Sequence, residues 1–210
     1  MEVLIIGAGI GGLTLGLMLH RAGIACRIFE ATPEIRQVGV GINMLPHASR
    51  ELCGLGLEEA LAKVAVTTRE YCFYNRFGQY IYSEPAGRFA GYDVPQFSIH
   101  RGDLQMVLLE AFKARAGADK VILGHRCTRV DYDGDEAIAY FEDVNGRLLA
   151  PVRGAVAVSC EGIHSVLRKQ LYPNEGPPKY SGINMWRGVT RWKPMLSGAS
   201  MIRVGWHHPA

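Results

Sequence analysis

Three glycines near the amino terminus have the type and spacing that most clearly predict chemistry. Gly7, Gly9 and Gly12 fit the pattern G-x-G-x-x-G. In a dinucleotide-binding turn the first glycine makes the sharp turn, the second lets a pyrophosphate approach the backbone, and the third lets helix and strand pack closely. A helix that begins there points its unpaired N–H groups and its dipole at the anion.

The segments around these glycines predict the β-α-β unit that would position them. The apolar run from Val3 to Ile6 has strand length, Leu13 to Ala22 is compatible with a helix, and Ala25 to Phe29 has the pattern of a second strand. Glu30 follows that strand, 18 positions after Gly12, where a carboxylate can accept hydrogen bonds from a ribose diol. The alternative is a glycine-rich turn in an ordinary α/β protein.

A second candidate is the segment His100-Arg101-Gly102-Asp103-Leu104 at the start of an amphipathic helix. The planar guanidinium of Arg101 could donate hydrogen bonds to a bound cofactor. A helix-capping Asp103 beside a solvated arginine explains the same residues equally well.

A third candidate follows the apolar run Ala155–Ser159, which is typical of a buried parallel strand. Its turn, Cys160-Glu161-Gly162, would bring backbone N–H groups near the first glycines if the two strands are neighbours. We interpret His164 as a structural histidine. Ser165 beside it does not form a hydrolase dyad, because the pattern G-x-S-x-G is absent.

The composition is ordinary for a globular protein with a sizeable core: 210 residues, 48% hydrophobic, 20% charged, with a formal net charge of +3. Lysines and arginines form no basic stripe, so we expect no nucleic-acid partner. The five cysteines form no C-x-x-C pair and no cluster with zinc spacing, so we expect no metal site and a reducing, cytoplasmic location. The uncharged run Val3 to Leu19 lacks the basic flank of a signal peptide, so we expect no membrane segment.

The segment after Glu30 bears on which dinucleotide is bound. A nicotinamide dehydrogenase would usually continue into another helix, whereas this chain has an irregular segment with Arg36, Gly39 and Gly41. A longer, two-part dinucleotide would need such a segment, although a plain surface loop stays open. An NAD-dependent dehydrogenase that uses Gly7 to Glu30 is the alternative function.

Together these motifs resemble those of the single-component flavin-dependent aromatic hydroxylases, the group of the para-hydroxybenzoate and salicylate hydroxylases. Three segments are similar to the branch that acts on phenazine-carboxylate and other N-heteroaromatic acids: Gly39–Asn43, Ser98–Met106 and Met185–Thr190. The resemblance runs the length of the chain, which ends before the family's later Gly-Asp motif. We therefore expect an N-terminal portion of such an enzyme.

The resemblance implies which residues hold FAD. Glu30 would meet the adenosine ribose, Cys127 would border the adenine, and Arg36 to Asn43 would pass beside the flavin. Glu161 stands where the family has an Asp that serves both FAD and NAD(P)H, and it is one methylene longer. The full set of implied cofactor-binding residues is Gly7, Gly9, Gly12, Glu30, Ala31, Arg36, Gly41, Ile42, Asn43, Arg101, Cys127 and Glu161.

The resemblance also implies a reaction. In that family NAD(P)H reduces the flavin, the reduced flavin binds O₂ as a C4a-hydroperoxide, and this species delivers oxygen to an electron-rich ring. The cofactor performs the difficult step while the protein binds, orients and excludes water, so no catalytic residue is named. The implied substrate is a small aromatic or N-heteroaromatic acid, and a homodimer is left open.

We therefore expect an α/β fold with a Rossmann-like FAD-binding domain and a second, incomplete β-sheet substrate domain. Turn chemistry places the first at residues 1–70 and 97–177 and the truncated second at 71–96 and 178–210. Strands are expected at Ile183–Thr190 and Met201–Trp206. The alternative to an active monooxygenase is a truncated FAD-binding fragment without efficient turnover.

Overall fold

The computed structural model describes residues 2–205 and has a mixed α/β fold. The helices are α1 (Ile10–Arg21), α2 (Pro46–Gly54), α3 (Glu58–Val64), α4 (Arg101–Ala116) and α5 (Val166–Leu171). The strands are β1 (Val3–Ile6), β2 (Cys26–Phe29), β3 (Gly41–Met44), β4 (Val66–Thr67), β5 (Glu70–Asn75), β6 (Tyr80–Pro85), β7 (Phe97–His100), β8 (Val121–Ile122), β9 (Arg126–Asp133), β10 (Glu136–Glu142), β11 (Val152–Gly154), β12 (Val156–Ser159) and β13 (Ser200–Gly205).

The chain divides into two compact units. The first contains the residues up to Gln37 together with Gln105–Trp186, and the second contains Val38–Leu104 together with the residues from Arg187 onward. Residues 38–70 and 97–104 thus belong to the second unit, whereas the sequence assigns them to the FAD-binding domain. The compact units and the predicted domains divide the chain differently, and the domain boundaries stay a prediction.

The first unit is built on a parallel sheet with the strand order β12-β1-β2-β8. All four residues of β1 are buried, as expected for a continuous apolar run with helices and strands on both faces. Helix α1 connects β1 to β2, which confirms the predicted β-α-β unit, although the helix begins at Ile10, three residues earlier than Leu13. Gly16 lets α1 lie close to its neighbours, because a Cβ there would be 2.7 Å from the ring of Phe112.

A second, antiparallel sheet in this unit has the order β11-β10-β9. Its apolar face packs against residues of the parallel sheet, with Phe29 stacked on Phe141 at 4.6 Å between ring centroids. The buried members of this core are Leu4, Ile6, Phe29, Cys127, Val130, Ala137, Ala139, Phe141 and Leu167. The core therefore includes Phe29, the last residue of β2, which immediately precedes Glu30.

Strand β12 differs from the sequence expectation in one respect. It pairs parallel with β1, with Val156 opposite Val3, so the condition that the two strands are neighbours is met. It is not a buried strand, however, because it forms the edge of the sheet and Val156 is 39% exposed. An apolar run of four residues fits an edge strand as well as a central one, so its pattern alone could not predict burial.

The second unit contains two three-stranded sheets, with the orders β3-β7-β4 and β13-β5-β6. Strands β5 and β6 form an antiparallel hairpin. Asn75 closes its turn, since its Oδ1 accepts hydrogen bonds from the backbone N–H groups of Phe77 and Gln79. Strand β13 lies parallel to β5, with Ser200 opposite Glu70. A strand near Met201–Trp206 is thus confirmed through Gly205, and Trp206 lies outside the described residues.

The segment from residue 172 to residue 199 forms no helix or strand. The strand predicted at Ile183–Thr190 is therefore wrong. Its Met and Trp residues have the composition of a strand, but none of the residues Ile183–Thr190 pairs with a strand among the described residues, and Trp186 is 97% exposed. None of the described helices is long and apolar enough to cross a membrane.

Candidate functional site

The turn between β1 and α1 requires glycine at two positions. Gly7 has a φ of +109°, and a Cβ on it would lie 2.5 Å from the carbonyl oxygen of Cys160. A Cβ on Gly12 would lie 2.0 Å from the carbonyl oxygen of Gly7. Both distances are far shorter than non-bonded atoms allow, so the backbone itself excludes any larger residue here.

Gly9 is different, because a Cβ on it would have no atom within 4 Å. Among residues 2–205 no atom occupies the space in front of Gly9, so the backbone there is open to the approach of another molecule. Gly9 is the N-cap of α1, and the first turn of that helix holds no acidic residue. The backbone N–H groups and the helix dipole at this point favour a negatively charged group.

The carboxylate of Glu30 is fixed against this turn. Its Oε2 accepts a hydrogen bond from the backbone N–H of Ala8 at 2.9 Å. Its Oε1 accepts from the backbone N–H of Thr32 at 2.9 Å and from the Thr32 hydroxyl at 3.1 Å. Ala31 lies in the chain between Glu30 and Thr32, which are joined by these hydrogen bonds. The structure thus brings Gly7, Gly9, Gly12, Glu30 and Ala31 together at one edge of the parallel sheet.

Gln105 is part of the same arrangement and was not identified from the sequence. Its Nε2 donates a hydrogen bond to the carbonyl oxygen of Ala8 at 2.8 Å. Both backbone groups of Ala8 are therefore held by side chains, one from β2's end and one from α4. One feature of the sequence could have identified Gln105: it is a polar residue on the core-facing side of an amphipathic helix. It shares that face with the buried residues Leu108, Leu109 and Phe112.

Glu161 contacts its own turn. Its Oε2 accepts hydrogen bonds from the hydroxyls of Ser159 at 3.0 Å and Ser165 at 2.7 Å, and from the N–H of Leu167 at 3.3 Å. Its Oε1 accepts from the N–H of Val166 at 3.3 Å. The carboxylate therefore caps α5, and its predicted contact with a cofactor stays a prediction.

Cys127 and Arg36 lie in opposite environments. Cys127 is 4% exposed, its Sγ donates to the carbonyl oxygen of Arg129 at 3.6 Å, and burial, with the nearby Glu161 carboxylate, raises the pKa of its thiol to about 12. This thiol belongs to the core described above. Arg36 is 75% exposed and forms an ion pair with Glu34 at 2.9 Å. The cofactor contacts predicted for both residues stay predictions.

The remaining predicted residues meet in the second unit. Strands β3 and β7 pair antiparallel, with Gly41 opposite His100 and Asn43 opposite Ser98. The Ser98 hydroxyl donates to Oδ1 of Asn43 at 2.7 Å. Ile42, between them on β3, is 36% exposed. Two motifs that lie far apart in the sequence thus form one two-stranded ladder.

The corner between β7 and α4 holds the segment before β3. The backbone N–H of Arg101 donates to the carbonyl oxygen of Val40 at 3.0 Å, and Nε2 of His100 lies 3.0 Å from the carbonyl oxygen of Gly39. A Cβ on Gly39, whose φ is +115°, would lie 3.4 Å from the Cβ of Arg101. The glycine and the arginine are therefore packed against each other.

Arg187, from the third segment of the resemblance, also reaches this ladder. Its Nη2 donates to the carbonyl oxygen of Gly41 at 2.5 Å. Within residues 2–205 no group of three or more His, Cys, Asp or Glu side chains could hold a metal ion.

Comparison with known proteins identifies the family and the fold. A family model described as "FAD binding domain" matches residues 1–191. The chain is 39% identical over 203 residues to phenazine 1,6-dicarboxylic acid hydroxylase PhzS of Lysobacter antibioticus, which covers 96% of this chain and 50% of that protein. It is 30% identical over 177 residues to 3-hydroxybenzoate 6-hydroxylase of Polaromonas naphthalenivorans, covering 81% and 42%.

Solved structures show the same fold. The chain resembles HpxO of Klebsiella pneumoniae, solved with FAD and uric acid, at 26% identity and a TM-score of 0.66, covering 81% of this chain and 41% of that one. It resembles p-nitrophenol 4-monooxygenase PnpA of Pseudomonas putida in fold, with a TM-score of 0.71 at 20% identity, covering 81% and 44%. The chain spans about half the length of the curated relatives it matches. The predicted family and fold class are therefore confirmed: the chain belongs to the FAD-binding-domain family of the flavin-dependent aromatic hydroxylases.

Proposed function

We propose that this chain binds the ADP half of FAD at the turn between β1 and α1. The observation that carries the proposal is the contrast between Gly12, where the protein's own backbone excludes a Cβ, and Gly9, where no atom of residues 2–205 lies within 4 Å of one. A pyrophosphate beside Gly9 would accept hydrogen bonds from the first N–H groups of α1.

Glu30 fits the ribose of the same ligand. Its Oε1 already accepts two hydrogen bonds, whereas Oε2 accepts one from Ala8 and has a lone pair left for a ribose hydroxyl. Because Oε2 is hydrogen-bonded to the turn itself, the turn and the Glu30 carboxylate would hold the diphosphate and the ribose in a fixed relative position.

We extend the proposal to the whole enzyme. It would transfer one atom of O₂ to a small aromatic or N-heteroaromatic acid: NAD(P)H, H⁺, O₂ and the arene would give NAD(P)⁺, water and the hydroxylated arene. When bound, the flavin supplies the oxygen chemistry, through the hydroperoxide that the family resemblance implies. The relatives named for phenazine dicarboxylate and hydroxybenzoate support an aromatic acid as the substrate.

The protein's part in this reaction would be binding, orientation and exclusion of water. By resemblance, the residues that would meet the cofactor beyond its ADP half are Arg36, Gly41, Ile42, Asn43 and Arg101. Glu161 and Cys127 are likewise proposed as cofactor residues through the resemblance alone. We propose a cytoplasmic enzyme with no nucleic-acid or membrane partner, and a homodimer is left open.

A second candidate function is FAD binding without efficient turnover by this chain. It is favoured by the chain's coverage of its relatives, which is about half of their length. We expect FAD to be held weakly and NADPH oxidation to be mostly uncoupled from hydroxylation. Efficient formation of a hydroxylated product by the 210-residue chain would exclude this second function.

The first experiment is a titration of the apoprotein with FAD and, separately, with NAD. A ligand stabilises the state that it binds, so FAD should raise the midpoint of thermal unfolding and NAD should raise it less. Glu30→Ala should weaken FAD binding by about 1–3 kcal/mol, the cost of leaving polar groups unpaired. Asp135→Ala, which removes an exposed carboxylate between β9 and β10, is the control.

Two results would contradict the proposal. Stabilisation by NAD and not by FAD would remove the flavin assignment altogether. Unchanged FAD affinity in Glu30→Ala would remove Glu30 from the binding site while leaving the rest of the turn in place.

A further inference from the structure

His125 lies beside Glu30 at the same edge of the parallel sheet. Strands β2 and β8 are parallel, with Phe29 opposite Ile122, so the residues that follow them meet at the carboxyl ends of both strands. The backbone N–H of His125 donates to the carbonyl oxygen of Glu30 at 2.8 Å, and that of Gly124 donates to Thr32 at 3.0 Å. Ligands of open α/β sheets bind at this edge.

The imidazole ring of His125 is held by two buried aromatic rings. Its centroid lies 5.6 Å from that of Phe141 in an edge-on arrangement and 6.0 Å from that of Phe29. Since Phe29 immediately precedes Glu30, the histidine ring covers the core next to the carboxylate. The ring is partly exposed, whereas the thiol of Cys127, two residues later, is buried.

Hydrogen bonding fixes the tautomer of the neutral ring. Nδ1 of His125 lies 2.9 Å from the carbonyl oxygen of Leu123, which can only accept, so Nδ1 carries the hydrogen. Nε2 is then an acceptor. Among residues 2–205 no donor reaches Nε2 within hydrogen-bond distance.

We propose that His125 recognises the adenine base of the dinucleotide, with Nε2 accepting a hydrogen bond from the exocyclic amine. The inference rests on the proposed binding of the ADP half of FAD, since a ribose held by Glu30 would place its base among the residues that flank Glu30. Adenine carries a donor at C6, whereas guanine carries an acceptor there. An acceptor on the protein therefore favours adenine and repels guanine at that position.

The test is isothermal titration of the apoprotein with ADP, GDP and purine riboside diphosphate, which lacks the exocyclic amine. His125→Phe keeps an aromatic ring against Phe29 and Phe141 and removes Nε2. His20→Phe, an exposed histidine near the end of α1, is the matched control. FAD titration of each variant, followed by flavin fluorescence, gives a readout that is independent of turnover.

The wild-type protein should bind ADP about tenfold more tightly than GDP or the purine analogue, a difference of one good hydrogen bond. His125→Phe should bind ADP about tenfold more weakly and bind all three ligands with similar affinity. Removing the amine from the ligand and Nε2 from the protein should not be additive, because both remove the same bond. His20→Phe should behave as the wild type.

An unchanged ratio of ADP to GDP affinity in His125→Phe would overturn the inference while leaving FAD binding intact. A wild-type protein that binds neither FAD nor ADP would overturn the inference together with the proposed function. If the phenylalanine variant does not fold, His125→Leu keeps an apolar side chain against the two rings, has no acceptor and is measured in its place. The wild-type comparison of ADP with the purine analogue tests the amine contact without any substitution, and equal affinities there would overturn the inference.

Discussion

The turn between β1 and α1 and the segment from residue 172 to residue 199 have neighbours of different kinds. At Gly7 and Gly12 the turn is surrounded by backbone atoms of its own β-α-β unit and of Cys160, at distances that admit only glycine. The segment carries large apolar side chains, yet they lie in water: Trp186 is 97% exposed and Trp192 is 77% exposed. The type of a residue alone therefore does not tell whether its side chain is packed against the rest of the protein or exposed to solvent.

The two regions differ in how far apart in the sequence the residues lie that must contact each other to form the local structure. In the turn, Gly12 is excluded from carrying a Cβ by Gly7, five residues away, and Glu30 reaches Ala8 across one helix. A strand in the later segment would need a ladder partner, which no local pattern can supply. The turn is consequently the region where single substitutions should have their largest effects.

The largest expected effect is that of Gly12→Ala. The added Cβ would lie 2.0 Å from the carbonyl oxygen of Gly7, and the Gly7 backbone together with the side chain of Ile5 leaves little room to relax. We expect the free energy of unfolding to fall by about 3 kcal/mol or more, measured by urea denaturation.

The neighbouring glycine provides the control for that substitution. Gly11 also lies in α1, but a Cβ there would have no atom within 4 Å. Gly11→Ala should therefore leave stability unchanged or raise it by up to about 1 kcal/mol, because alanine is the better helix former. Equal losses in the two variants would show that the turn is no more constrained than the rest of the helix.

The sequence predicted the β-α-β unit because each step is local. An apolar run, a glycine cluster, a helix of suitable length and an acidic residue all lie within the first thirty positions, and the hairpin around Asn75 is equally local. The parallel pairing of β13 with β5 joins Ser200 to Glu70 and could not be read from either segment. The strand expected at Ile183–Thr190 was wrong for the same reason, since a composition rich in Trp and Met favours a strand without identifying its partner.

Candidate-site residues follow the same division. Gly7, Gly9 and Gly12 could be identified because their spacing reflects backbone geometry within one turn. Gln105 could not, because its contact with Ala8 joins residues almost one hundred positions apart. The pairing of Gly41 with His100 likewise became visible only when the fold aligned the two motifs.

A smaller effect than that of Gly12→Ala is expected from Gln105→Met. The substitution keeps the length of the side chain but removes the donor to the carbonyl oxygen of Ala8, which is partly buried. We expect stability to fall by about 1–2 kcal/mol and FAD affinity to fall by severalfold, because the turn loses one of its two anchors. Equilibrium unfolding and flavin fluorescence measure the two quantities.

Glu110→Gln, on the exposed side of the same helix, should change neither quantity. If Gln105→Met lowered stability but left FAD affinity unchanged, Gln105 would support only the fold and not the geometry of the turn. The geometry of the turn would then be fixed by its glycines alone.

The smallest effect is expected in the later segment, from Trp186→Ser. Burying a tryptophan normally stabilises a protein by several kcal/mol, but this side chain is 97% exposed and has little contact area to lose. We expect a change within about 0.5 kcal/mol in urea denaturation, against a loss of about 3–5 kcal/mol for Phe141→Ala in the core, where Phe141 is 1% exposed. A large loss in Trp186→Ser would mean that the segment packs against the protein in solution. Residues 183–190 would then be packed against the protein without forming a strand. The turn between β1 and α1 and the segment from residue 172 to residue 199 would differ in secondary structure but not in packing.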